Sequence, residues 1–277
     1  MANLFFSRLH IATSRDTADK VDFLLIGLRN DARTDFREFL YKFFDTEVVE
    51  FDGKEFISGQ LVKYNPADIE RVVDESEQKI VDEDVKNKVV GMSRFIIDAS
   101  SSIVMFMEVP NVISRETFVN RFTELFKKNY DDYFIELSIT PIKEQYSFIE
   151  TIRKFRAVKQ ISITLFPSNP NFADRWKVID ERLRNNHITK YKETQENNIS
   201  GQNIHIDEET ENKFLMAEDG YGESHASGID ENGNERTIST KDEVKHISKQ
   251  IPPDMDKITD VLLVIAETLQ TIVNRTQ

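Results

Sequence analysis

Residues 158–183 read VKQISITLFPSNPNFADRWKVIDERL, and they carry the fold class in miniature: a strand, an abrupt turn, a helix. Ile161, Ile163 and Leu165 alternate with Ser162 and Thr164, the period of a strand with one covered face. Pro167 has no N–H to give to a ladder and ends it. Asn169 followed by Pro170 predicts a helix start: an Asn cap, then proline at the first helical position, where a missing donor costs nothing. Phe172, Trp176, Ile179 and Leu183 recur at spacings of 4, 3 and 4, one stripe of a helix. The turn is either a site at the end of a strand or simply a capped crossover.

Working outward, residues 94–195 predict the order β-β-α-β-α-β-α-β. The 94–109 hairpin turns at Asp98-Ala99-Ser100-Ser101-Ser102. Ser114 caps a helix reaching about residue 129, with Phe118, Phe122, Leu125 and Phe126 inward. Residues 133–140 alternate as a strand. Thr140-Pro141 reads as a second cap and proline start, for a helix to Phe155 that buries Ile142, Tyr146, Ile149 and Ile152. A strand at 188–194 closes the run. The alternating strands predict an α+β fold: a mixed β-sheet with helices packed on one face, a two-layer sandwich, whose second face is polar or covered by other parts of the chain.

Upstream, residues 3–13 alternate as a strand, and 21–28 is apolar and fits strand or helix. Residues 34–44 predict a helix with Phe36, Phe39, Leu40 and Phe43 on one face. Residues 46–64 predict a hairpin through Asp52-Gly53. Residues 65–84 hold eight Asp/Glu against Arg71 and Lys79 and read as a solvated helix or connector. Downstream, a short helix is expected near 208–217, then a hairpin turning at Asp230-Glu231-Asn232-Gly233. The last helix, 254–275, places Met255, Ile258, Leu262, Ile265, Leu269 and Ile272 at spacings of 3, 4, 3, 4 and 3, a coiled-coil-like seam. It predicts either a homo-oligomer or partner helix, or docking on its own domain. The expected divisions are 1–93, a β-rich lobe; 94–195, the central sandwich; 196–250, an acidic hairpin region; and 251–277, the assembly helix.

The chemistry is sparse. His10, His187, His205, His225 and His246 share no ligand spacing, and there is no Cys, so neither a metal site nor a disulfide is expected. No cofactor fingerprint, phosphate loop or nucleophile elbow is present. No run approaches the roughly 18 apolar residues of a membrane span, and a cytoplasmic protein is expected. The net charge of −13 opposes indiscriminate binding of nucleic acid. One segment departs from it: residues 141–192 hold eleven Lys/Arg against five acids. Arg153, Lys154, Arg156, Lys159, Arg175, Arg182 and Arg184 are therefore the candidates for binding DNA, RNA or a partner protein, or for pairing with the acidic 207–235 segment. A metal-dependent nuclease or phosphodiesterase using Asp98, Glu136 and Asp174 is the alternative.

The order of several short motifs resembles an uncharacterised bacterial family defined as a domain of unknown function. They are Gly59-Gln60-Leu61-Val62-Lys63-Tyr64, the 94–109 hairpin followed by Ser114, Thr140-Pro141, the turn Pro167-Ser168-Asn169-Pro170-Asn171, and Gly220-Tyr221-Gly222 followed by Ser239-Thr240. Ser168 departs from the simpler Pro-Asn-Pro turn of that family. The resemblance brings no catalytic residues. It implies a prokaryotic or phage-related protein found near defence genes, hence the expectation of a non-enzymatic, oligomeric component of a bacterial anti-phage system.

Overall fold

A computed structural model describes residues 2–13, 20–76, 78–130, 135–168, 175–199, 202–240, 245–252 and 255–275. The helix start expected at Asn169-Pro170, with Phe172 and Asp174, lies outside the described residues. The α+β class is the one observed. Its strands divide between two sheets, and the pairings are antiparallel.

The first sheet is built from β1 (Ala2–Thr13), β2 (Thr34–Phe36), β3 (Phe39–Phe51), β4 (Lys54–Asp74), β5 (Lys79–Asp98), β6 (Ile103–Met107), β7 (Ile135–Pro141) and a late strand, Ser248–Ile251. The late strand, β12 in chain order, pairs with the start of β1, β7 pairs with its end, and β6 lies along its other edge. From β6 the sheet continues through β5, β4, β3 and β2. One face is covered by α1 (Lys20–Gly27) and α2 (Arg115–Lys128), the other by the last helix, Ile258–Asn274, which is α6. Coverage on both faces explains the unbroken apolar runs Phe95-Ile96-Ile97 and Ile103 to Met107. Phe95, Ile97, Val104 and Phe106 face α2, while Ile96, Ile103 and Met105 face α6.

The second sheet has four strands: β8 (Ala157–Leu165), β9 (Tyr191–Glu196), β10 (Gly222–Ile229) and β11 (Glu235–Ser239), in the order β11-β10-β8-β9. Ile161, Ile163 and Leu165 point to a core shared with α3 (Ser147–Ile152), α4 (Lys177–Asn185) and α5 (Glu208–Met216). This half has two layers, and the β-β-α-β-α-β-α-β order of 94–195 is observed but runs through both sheets, with β5, β6 and β7 in the first and β8 and β9 in the second. Ser114 caps α2 by accepting a hydrogen bond from the Thr117 N–H. Asp52 and Gly53 both take positive φ, 49° and 68°, the geometry a two-residue hairpin needs.

Three local expectations are corrected. Residues 34–44 form β2 and the start of β3, not a helix. Tyr41 and Phe43 are buried on one face of the sheet, and Phe43 meets Phe95 and Phe122 edge-on. A run this aromatic satisfies both periods, and packing chooses the strand. The acidic 65–84 segment is neither helix nor connector: it continues β4 and β5 as a two-stranded ribbon, with Val72 opposite Val81 and Val73 opposite Ile80. Thr140-Pro141 starts no helix, because β7 runs through both and pairs with Arg8 and Ser7. The helix waits until Ser147, after Tyr146 in the left-handed region at φ 65°.

Candidate functional site

Three of the seven candidate cations, Arg153, Arg182 and Arg184, face acids of the same chain. Arg153 reaches Glu211 at 3.0 Å, and Arg182 reaches Glu209 at 3.0 Å, both acids on α5. Arg184 holds the buried Asp180 at 2.8 Å and donates to Ser168 Oγ. Lys159 Nζ donates to the carbonyls of Ile199 and Gln202 at 2.8 and 2.7 Å, and Arg175 lies over the Tyr146 ring. Lys154 and Arg156 are exposed. The acidic helix α5 thus lies against the segment that looked basic in sequence.

The apolar seam of α6 is also occupied within the chain. Leu262, Ile265, Leu269 and Ile272 are buried against the first sheet, with Met255 and Ile258 partly buried beside them. Of the carboxylates weighed for metal chemistry, Asp98 and Glu136 are described and Asp174 is not. Asp98 is buried and accepts from the N–H and Oγ of both Ser100 and Ser101, and Glu136 is exposed on β7. Among the described residues no group of three His, Asp or Glu side chains could hold a metal ion.

Between the sheets lies a sealed polar junction. Arg8 of β1 donates to the carbonyls of Ser101 and Asp219 and stacks over the Tyr221 ring at 4.7 Å. Trp176 Nε1 donates to Asp219 Oδ2 at 3.0 Å, and His10 Nε2 meets the Gly220 carbonyl at 2.7 Å. Gly220 is required here: it sits at φ 89°, and a Cβ would lie 2.7 Å from that of Arg8. Glu218 accepts from the N–H groups of Tyr146 and Phe148 and from Ser147 Oγ. The motifs Thr140-Pro141 and Gly220-Tyr221-Gly222 meet at this junction, where a Cβ on Gly220 would lie 3.3 Å from the Thr140 carbonyl oxygen. Its side chains are buried, and through them β1 of the first sheet contacts the Asp219–Tyr221 segment that leads into β10 of the second.

An accessible site lies elsewhere, where the β2–β3 hairpin faces the first turns of α2. A cleft of about 350 Å³ opens there. One wall is aromatic and cationic. Arg37 stands at the hairpin tip with φ 57°, its guanidinium 5.4 Å from the centre of the Phe36 ring. Arg121 approaches the same ring at 5.0 Å and Tyr41 at 5.6 Å, held by Glu124 and by Thr34 Oγ1. Lys63 Nζ lies 4.0 Å from the centre of the Phe39 ring. Burial pushes the Tyr41 hydroxyl above its ordinary pKa despite Arg121, so it stays a donor. α2, which carries Arg121, also presents Glu116, Thr117 and Asn120 to the cleft. The cap at Ser114 fixes these residues, because it sets where the first turn begins.

Such a surface suits an anion with a planar body. Aromatic faces and guanidinium planes stack on flat rings, and cations beside them hold negative charge. The helical period of residues 34–44 hides the hairpin side of this cleft in the sequence, because only a strand brings Phe36, Phe39 and Tyr41 to it. The available signal was the interleaving in Phe36-Arg37 and Tyr41-Lys42, read with a strand's period of two.

The family model for DUF4747, described as a domain of unknown function, matches residues 24–267. No curated protein matches the chain.

Proposed function

We propose, for a chain that belongs to the DUF4747 family, that it binds a nucleotide, free or at the end of a single strand, in the cleft between the β2–β3 hairpin and α2. One observation carries this reading. Arg37 and Lys63 each lie on an aromatic ring in that cleft, and neither makes an ion pair among the described residues. The cleft's volume falls in the range of small-ligand sites. A net charge of −13 works against a long polyanion and favours a ligand with one or two phosphates.

The reading keeps the expected non-enzymatic binding role and moves it from the 153–184 cations to the cleft. It needs neither assembly through α6 nor a defence setting. Calorimetric titration with the four common ribonucleoside monophosphates at low salt tests it. Binding should saturate, weaken with added salt, and fall by about tenfold in Arg37→Ala and in Lys63→Ala. If no monophosphate binds up to about 1 mM, a free energy near −4 kcal/mol, the reading is wrong.

A further inference from the structure

The residues that line the cleft differ in chemistry, and the difference points to one base. Arg37 and Lys63, on the hairpin and β4, supply positive charge over the rings of Phe36 and Phe39. From α2 the cleft takes a carboxylate, Glu116, and an amide, Asn120, while Arg121 of the same helix reaches over the Phe36 and Tyr41 rings. Glu116 and Asn120 are four residues apart on one helix and so stand on the same side of it. Both are exposed, and neither side chain has a hydrogen-bond partner among the described residues. Glu116 lies in the first turn of α2, where the helix end favours a negative charge.

A carboxylate only accepts hydrogen bonds. It therefore repels a base edge that presents lone pairs and rewards one that presents donors. Guanine carries two adjacent donors, N1–H and the N2 amino group. In adenine and cytosine the amino group sits next to a bare ring nitrogen, and in uracil the N3–H lies between two carbonyls. A ring stacked on the cationic wall, with its phosphate toward Arg37 or Lys63, would turn its far edge to α2. An amide donor such as Asn120 suits the guanine O6 beside the N1–H. Resting on the nucleotide reading of the cleft, we infer that Glu116 and Asn120 select guanine.

The test compares GMP, IMP and AMP on the full chain by calorimetry at one salt concentration. IMP is GMP without the N2 amino group, so it isolates one donor. GMP should bind about tenfold more tightly than IMP, and more tightly still than AMP. Glu116→Gln, on the exposed side of the helix, should bring GMP and IMP to within about twofold of each other. The circular dichroism spectrum should be unchanged. Equal binding of GMP and IMP by the wild type, or an unaltered ratio in Glu116→Gln, overturns guanine selection while leaving the cleft as a nucleotide site. Absence of binding by all three overturns both readings. A short oligouridylate ending in guanosine, run beside GMP, separates the two sources. Whichever binds more tightly, preference over the same oligomer ending in inosine supports the inference, and indifference overturns it.

Discussion

At the scale of single residues, His10 and Glu218 place opposed titrations in the same polar junction. Burial drives the His10 pKa down to about 4, outweighing its bond to the Gly220 carbonyl, with Arg8 pushing the same way as burial. Burial also drives Glu218 up to about 7, against the three donors that lower it, with the repulsion of Asp219 pushing the same way as burial. A depressed histidine contributes stability that is present above pH 6.5 and lost as pH falls through 4. A raised glutamate contributes stability that is present below pH 4.5 and lost as pH rises through 7. Each shift is worth about 3 kcal/mol, and the windows overlap with opposite signs. The wild type should therefore show a flat urea midpoint between about pH 4.5 and 6.5. Glu218→Gln should leave the histidine slope, with stability rising with pH. His10→Gln should leave the glutamate slope, with stability falling. Parallel profiles for the three proteins would remove these two groups from the pH dependence. Neither titration was legible in sequence. His10 is one polar position in an alternating strand, and Glu218 is one of ten acids between residues 207 and 235.

At the scale of elements, α6 shows how far a periodic stripe can be read. The 3, 4, 3, 4, 3 spacing determines that one side of the helix must be covered. It does not say by what, because a stripe on another chain and a sheet of the same chain offer the same apolar surface. In the fold, Val261, Leu262, Ile265, Leu269, Ile272 and Val273 meet Leu4, Phe6, Phe56, Ile96, Ile103 and Met105. Truncating Ile265 to Ala should lower the unfolding free energy by about 2–5 kcal/mol. Because the partner surface is on the same chain, urea midpoints should not change with protein concentration. A midpoint that rises with concentration would mean that the stripe is covered between chains instead. The stretch 34–44 teaches the complementary lesson. Its helical spacing was genuine, but Phe43 packs on Phe95 and Phe122, and Tyr41 joins the same core, which a solvent-facing helix could not offer.

At the scale of the whole molecule, β4 and β5 run 21 and 20 residues, far beyond the strands beside them. β3 pairs with β4 only as far as Tyr64, and β6 pairs with β5 only from Phe95 to Asp98. Among the described residues the outer ribbon has no third strand, and it exposes Ile69, Val73 and Ile80 at 63, 71 and 72 %. Two strands alone are marginal in water. Lys88, bound to Asp68 and Glu70 near the base, is a partly exposed brace that contributes little. Amide exchange should divide each strand in two: residues 67–74 and 79–86 exchanging within seconds to minutes, residues 57–62 and 93–97 close to the global limit. Uniform protection along both strands would show that the ribbon is stabilised by something other than its own pairing.

The sequence by itself determined the α+β class, the order of elements across 94–195, the Ser114 cap, the Asp52-Gly53 turn and the amphipathic faces of α2 and α6. Each depends on residues within one or two turns of one another. The strand of the 158–183 stretch is where its alternation put it, with Trp176, Ile179 and Leu183 buried against it. Tertiary structure decided the rest: the division of the strands between two sheets, the pairing of the basic segment with α5, the ribbon of 65–84, and the cleft. Those depend on which distant surfaces meet. Arg153 and Glu211, or Lys63 and Phe39, are brought together by packing, and no local pattern records the encounter.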